Sequence, residues 1–378
     1  SSTYPIFHWG PIPWSFYLVL AVAFGFMLHV RGCHKQKYSE ACRPVLGNKV
    51  DGIAGKLIDL IAVFALLAGT ATTFSLATPL LAGAISSVTG IPQSTGLTLV
   101  ILVIVCAIYT FSVYFGMKGV QLSAATCTWL FFGLLAYVFF FGGQTRFIIE
   151  EGITALGNLT QNFIGLATWT DSLRTSSFPQ TWTIFYWAYW MVWCVAVPFF
   201  IGSISKGRTL RQVILGGYVF GLSGTFTSFI IMGNYGLGLQ MHGKLDVLSS
   251  YAADGNLYHA ILDILGQLPL SKAVLVLLVL CMITFYSTSF DSITMVASTY
   301  TYKKLQSDEE PHRNVKLFWA IFLILLPLAL IFSENSMSNL QTVSIIAAFP
   351  VGIIMLLIIS SFFKDADAYL KEQANPPE

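Results

Sequence analysis

Nine stretches of bilayer length dominate this chain, at about 12–30, 57–84, 94–116, 120–142, 182–204, 210–236, 272–300, 315–334 and 340–363. A helix of about 20 apolar residues spans a hydrocarbon core, and inside that core the backbone must satisfy its own polar groups. Long apolar runs repeated nine times therefore predict an all-α polytopic membrane protein with about nine transmembrane helices. Several runs exceed the minimum length, which predicts tilting or a broken helix. The balance of residue types agrees: 55% of the 378 residues are hydrophobic and only 10% are charged. Soluble domains carry about 25% charged residues. A soluble enzyme, a disordered chain and a nucleic-acid binder are excluded.

Charge placement predicts the orientation. Sixteen of the 20 basic residues lie on alternate loops and the C-terminal tail: Arg31, Lys35, Lys37, Arg43, Lys49 and Lys56, then Lys118, then Lys206, Arg208 and Arg211, then Lys303, Lys304, Arg313 and Lys316, then Lys364 and Lys371. Basic loops stay inside, so the loop after the first run and the C-terminus are expected in the cytoplasm. Residue 1 is then outside although no Met or signal peptide opens the chain, which reads as a part of a longer transporter. Between the fourth and fifth runs, a stretch holding Asn158, Gln161 and Asn162 is expected as an amphipathic surface helix. The longest polar loop, 243–268, has room for a short helix. The six cysteines lack metal-ligand or redox spacing and read as packed free thiols.

Few residues in the apolar runs can carry chemistry. No nucleophile with a base and no His/Glu metal set is visible, which argues against an enzyme and predicts no cofactor. Asp59, near a span start, reads as a helix-end residue. Asp291 lies deeper, in Thr284-Phe285-Tyr286-Ser287-Thr288-Ser289-Phe290-Asp291-Ser292. Five Ser/Thr hydroxyls and an acid there serve equally as glue between helices or as an oxygen cage for a small hard cation. The run Gly69-Thr70-Ala71-Thr72-Thr73-Phe74-Ser75 allows close helix approach, and Thr78-Pro79 is expected to kink or end its helix. Gly216, Gly217, Gly221 and Gly224 read as packing glycines.

Aromatic residues give the sharpest signal. Trp9, Trp14 and Tyr17 cluster at the first run, and Trp182, Tyr186, Trp187, Tyr189, Trp190 and Trp193 crowd the fifth. An interfacial belt accounts for Trp9 and Trp182. Trp190 and Trp193 lie roughly 12–16 Å further along a helix, too deep for a belt. Tyr186, Trp190 and Trp193 share a face through their spacings of four and three. A box of ring faces suits a quaternary ammonium, which has no N–H to donate and is held by ring quadrupoles.

The segment Thr181-Trp182-Thr183-Ile184-Phe185-Tyr186-Trp187-Ala188-Tyr189-Trp190 resembles the signature of the betaine/carnitine/choline transporter (BCCT) family. It departs at Thr181, where a different small residue is usual, and at Tyr189, where Trp is usual. Phe7-His8-Trp9-Gly10, Gly69-Thr70-Ala71-Thr72, Lys118-Gly119-Val120 and Ile204-Ser205-Lys206-Gly207-Arg208-Thr209 are similar as well. The resemblance implies a LeuT-type inverted-repeat core preceded by two peripheral helices, with the first core helix lying ahead of this chain. Residues 1–142 would then be four helices of the first repeat, 143–180 an extracellular connection with a surface helix, 181–364 the second five-helix repeat and 365–378 a cytoplasmic tail. It implies a secondary active transporter in the plasma membrane, often a homotrimer. The substrate would be a quaternary amine such as glycine betaine, choline or carnitine, held by Trp9, Trp14, Tyr17, Tyr189, Trp190 and Trp193. Na⁺ would be the coupling ion, held by the Phe285 carbonyl and the Thr288 and Ser289 hydroxyls. Sodium-independent carnitine/γ-butyrobetaine exchangers place a basic side chain where Cys127 stands here, so the resemblance favours symport. An exchanger is the rival within the class, and a channel the rival outside it.

Overall fold

The computed structural model describes residues 2–33, 35–115, 117–252, 257–302, 305, 309–332 and 337–375. The loop lysines Lys303 and Lys304 lie outside the described residues, as do the side chains of Lys118-Gly119-Val120 and Ser292. Every described regular element is helical. Short α1 (Thr3–His8) leads into α2 (Pro11–Gly25), which closes with a π-helical turn at Phe26–Val30. After a basic loop holding α3 (Arg43–Leu46) come α4 (Ile53–Thr89), α5 (Thr95–Phe115) and α6 (Met117–Phe141). Helices α7 (Thr145–Gln161) and α8 (Phe163–Thr168) precede α9 (Ile184–Trp193) and α10 (Val197–Ile204). The chain ends with α11 (Leu210–Met241), α12 (Val247–Ala252), α13 (Leu257–Gly266), α14 (Ser271–Thr299), α15 (Arg313–Phe332) and α16 (Met337–Ala374).

Each apolar run of the sequence falls on these helices. Among the described residues, six stretches are long and apolar enough to span a membrane by themselves, Thr3–Val30, Ile53–Thr89, Ala124–Phe141, Leu210–Met241, Ser271–Thr299 and Gln341–Ala374. The bent pair α9–α10 makes a seventh. The all-α polytopic fold expected from the sequence is the fold observed. Leu215, Val219 and Phe220 of α11 stand exposed, a pattern suited to lipid contact.

Three local features refine the sequence reading. The fifth run breaks, with a 47° bend between α9 and α10. Pro198 near the start of α10 has no N–H to continue the ladder. The Cys194 and Ala196 N–H groups turn back to the Met191 and Trp193 carbonyls at 3.0 and 3.1 Å. At Pro79, by contrast, α4 neither ends nor restarts but runs on to Thr89. The polar loop at 243–268 holds two short helices, α12 and α13, rather than one.

Glycines set two close crossings. A Cβ on Gly202 of α10 would lie 2.9 Å from the Gly25 nitrogen and 3.0 Å from the Ala21 carbonyl of α2. The same crossing is capped by His29, whose Nε2–H donates to the Gly202 and Ser203 carbonyls, each at 3.0 Å. On α11, Gly217 receives Leu18 and Gly221 receives the Trp14 indole, while Gly216 and Gly224 face open space. Only two of the four candidate packing glycines therefore pack. Helix α11 starts at a reciprocal cap, in which the Gln212 N–H donates to Thr209 Oγ1 at 3.2 Å and the Thr209 N–H to Gln212 Oε1 at 3.0 Å. Helix α7 is amphipathic, as expected: Ile148, Gly152, Ala155 and Leu159 are buried, and Gly152 lies against Ile230 of α11.

The basic loop after the first span is stitched to the far end of the chain. Arg31 pairs with Asp365 at 2.9 Å and with Glu372 at 2.7 Å, and its guanidinium lies 5.2 Å from the Tyr369 ring centroid. Within the loop, Arg43 pairs with Glu40 and, at 2.8 Å, with Asp51, which also accepts from Lys35 at 3.0 Å. Asp59 accepts the Ser39 N–H at 3.1 Å and lies 3.7 Å from Lys37. The helix-end reading of Asp59 thus holds, since it anchors this loop.

Two predictions follow from these contacts. Gly202→Ala forces backbone apart in a tight crossing, a cost of about 1–3 kcal/mol, and is expected to lower Tm in detergent by several degrees. Gly216→Ala, with open space around it, is expected to leave Tm unchanged or slightly raised. The Arg43 guanidinium and the Lys35 ammonium hold the Asp51 carboxyl well below the usual carboxylate range. A lowered folded pKa stabilises above the ordinary value of about 3.9 and is lost as pH falls through that value and below. Amide exchange across 40–52, normalised for its intrinsic rate, is expected to rise below about pH 4, and Asp51→Asn to produce the same rise at neutral pH.

Candidate functional site

The first wall of the site is set by a chain break. Gly10 separates α1 from α2, and a Cβ there would sit 2.3 Å from the Ile6 carbonyl. The turn is therefore open only to glycine, and it leaves Trp9 at the end of α1 while Trp14 and Tyr17 follow on α2. The opposite wall is α9, which carries Tyr186, Tyr189, Trp190 and Trp193 in its last two and a half turns before the break.

Trp190 is the hub. Its ring centroid lies 5.2 Å from Trp9, 5.6 Å from Trp14 and 4.6 Å from Tyr17, at interplanar angles of 50–69°. Trp190 and Tyr17 are buried, while Trp9 and Trp14 are half-buried. Tyr189 stands 6.4 Å from Trp9 and 6.3 Å from Trp193. All six cage residues named from the sequence thus belong to one ring cluster. The Trp190 ring is in contact with those of Trp9, Trp14 and Tyr17. The indole N–H groups of Trp14 and Trp190 are buried without an acceptor. Buried donors left unmatched are costly and mark places where a ligand can help.

Other residues around the box were not legible. Phe229 of α11 lies 5.6 Å from Trp9, an apolar residue in a span with nothing to single it out. His8, part of the Phe7-His8-Trp9-Gly10 motif, is buried with Nε2 2.9 Å from Thr183 Oγ1 and its ring stacked 5.2 Å from Tyr186. It ties α1 to the π-helical turn Pro179–Thr183 that enters α9. Trp182 stacks on Tyr186 at 6.0 Å, outside the hub.

Helix α4 runs beside the box as a row of hydroxyl ties. Thr73, Thr72 and Thr78 each donate to the carbonyl four residues earlier, then meet a hydroxyl from another helix: Tyr189 of α9 at 2.7 Å, Ser344 of α16 at 3.0 Å and Tyr286 of α14 at 3.0 Å. The small-residue run around Gly69 therefore links helices, as the packing reading expects.

The polar run on α14 divides into two faces. Tyr286, Ser287, Phe290 and Asp291 are buried. Phe285 is exposed, Thr288 and Ser289 are half-buried, and the three share a face at spacings of three and four. The Thr288 hydroxyl donates to the Thr284 and Phe285 carbonyls, each at 3.1 Å. Helix α6 packs alongside: Phe131 lies 5.6 Å from Phe285, and Cys127 lies beside Thr284 and Thr288. Carbonyl, hydroxyls and a neutral thiol thus gather at one place, separate from the aromatic box. Among the described residues, no three His, Cys, Asp or Glu side chains are grouped to hold a metal ion.

The pattern described as BCCT, betaine/carnitine/choline family transporter, matches residues 1–371. A carnitine transporter of Acinetobacter baumannii is 28% identical over 359 residues, covering 94% of this chain and 65% of that protein. The uncharacterized transporter YeaV of Escherichia coli K12 is 27% identical over 365 residues, covering 96% of this chain and 76% of its own. The chain thus spans just under two thirds of the length of the first relative. With the aromatic box, the broken helix beside it and a match along almost its whole length, the chain belongs to the betaine/carnitine/choline transporter family.

Proposed function

We propose that the protein is a secondary active transporter of a quaternary ammonium compound of betaine, choline or carnitine type, driven by Na⁺ symport. The observation that carries this reading is Trp190, buried at the meeting point of Trp9, Trp14 and Tyr17. Aromatic faces hold a trimethylammonium head without needing its missing N–H, at about 2 kcal/mol or more when desolvated. The unmatched indole N–H groups of Trp14 and Trp190 suit a substrate whose other end offers a carboxylate or hydroxyl oxygen.

Na⁺ coupling rests on the half-buried face of α14. The Phe285 carbonyl and the Thr288 and Ser289 hydroxyls are the hard oxygen ligands such an ion takes. Cys127 beside Thr288 leaves that place free of a fixed positive charge. A gradient of 100 mV supplies about 2.3 kcal/mol per charge moved. The core is read as two inverted repeats, 1–142 and 181–364, rocking about the site. The face that carries Arg31 and the end of α16 is read as cytoplasmic, in the plasma membrane. Trimers would assemble with the help of α7, whose Ile149 and Ile153 stand exposed. The alternative reading is Na⁺-independent exchange of the carnitine/γ-butyrobetaine type; the name of the first relative, carnitine transporter, fits either reading, and the same assay separates the two.

In proteoliposomes with the full-length protein, a Na⁺ gradient is expected to drive saturable uptake of one of glycine betaine, choline or carnitine. Trp190→Ala is expected to raise KM roughly thirtyfold, the equivalent of 2 kcal/mol. Uptake indifferent to Na⁺ but stimulated by substrate inside the vesicle means an exchanger, and current without saturation means a channel. Cys127→Arg is expected to abolish the Na⁺ stimulation while leaving a residual, Na⁺-independent uptake. Full Na⁺ dependence in that variant rules out the ion site on α14.

A further inference from the structure

Tyr189 stands where the family signature carries tryptophan, and its phenol is engaged away from the box. On α4, Gly69 and Thr73 are four apart; on α9, Tyr189 and Trp193 are four apart, so one turn of each helix faces one turn of the other. Gly69 admits the Trp193 indole: a Cβ there would lie 3.3 Å from Trp193 Cε2. Thr73 meets Tyr189 at 2.7 Å between hydroxyl oxygens.

The direction of that bond follows from the proton count. A threonine hydroxyl has one hydrogen, and the Thr73 hydroxyl donates to the Gly69 carbonyl at 2.9 Å. The phenol of Tyr189 is then the donor to Thr73 Oγ1. With its hydrogen committed, Tyr189 offers the box a ring face and no donor.

From this we infer that Thr73 is a positioning residue of the substrate site: it touches no substrate, but its hydroxyl fixes the angle of the Tyr189 ring beside Trp9 and Trp193. The inference deepens the transporter reading proposed above and rests on it for its effect on substrate.

The test is a double-mutant cycle on the full-length protein in proteoliposomes, with glycine betaine, choline and carnitine as probes. Tyr189→Phe and Thr73→Val each remove one hydroxyl while keeping shape. Each is expected to raise KM about fivefold, the size of one net hydrogen bond, with kcat within about twofold of wild type. The double variant is expected to be no worse than the worse single one, and Thr73→Ser to behave as wild type. Multiplicative effects in the double variant overturn the inference. So does a silent Thr73→Val beside a damaging Tyr189→Phe, which would mean that the phenol contacts substrate directly. The same proteins are melted in detergent, where the tie shows as a non-additive loss in Tm whatever is transported. Additive losses there also overturn it. Absence of saturable uptake in the wild type defeats the transporter reading, while the melting cycle still judges the tie.

Discussion

Inside a bilayer no water is present to satisfy an N–H or a C=O, and the architecture depends on that constraint. Helices meet it along their length and fail to meet it where they stop. A bent break lies at Trp193–Val197, where Cys194, Val195 and Ala196 are buried in protein rather than turned to lipid. Trp190 lies just ahead of that break, and the π-helical turn Pro179–Thr183 lies at the other end of the same short helix. Irregular backbone and aromatic rings are thus kept together, where neighbouring helices can shield both.

Polar side chains obey the same rule by pairing across helices. The threonines of α4 return their hydrogens to their own helix and accept a hydroxyl from α9 and α14, with Ser344 of α16 completing the set. No charge is needed for these ties. A separate cluster of ion pairs sits on the basic loop after α2, where Arg31 holds Asp365 and Glu372, and Arg43 and Lys35 share Asp51.

Much of the fold was legible because periodicity and length alone mark a spanning helix. The α9 wall was also legible: Tyr186, Trp190 and Trp193 share a face at spacings of three and four, at a depth no interfacial belt reaches. Its partners on α1 and α2 came from the family signature, since nothing in local spacing says which helix Trp190 will meet. Phe229 carries no local mark, and Thr73 is marked only as one member of a run of small residues; their roles exist only once α11 and α4 are placed beside the box. The break in the fifth run was hidden by unbroken hydrophobicity through Val195-Ala196-Val197, with Pro198 as its only trace. Pro79 does not end its helix, because losing one backbone bond does not stop a 37-residue helix packed on several neighbours. Gly217 and Gly221 could not be told from Gly216 and Gly224, as all lie in one apolar helix and only tertiary neighbours distinguish them.

The contact between Trp190 and the three rings of α1 and α2 bears on what crosses when nothing is being carried. Rings with centroids 4.6–5.6 Å apart are in contact and leave no room between them for a file of water. In the transporter proposed above, the rings that would greet a bulky organic cation would also act as a plug in its absence. On that reading, opening the plug would demand a guest large and soft enough to take the place of each lost ring contact, and idle molecules would not drain the membrane potential.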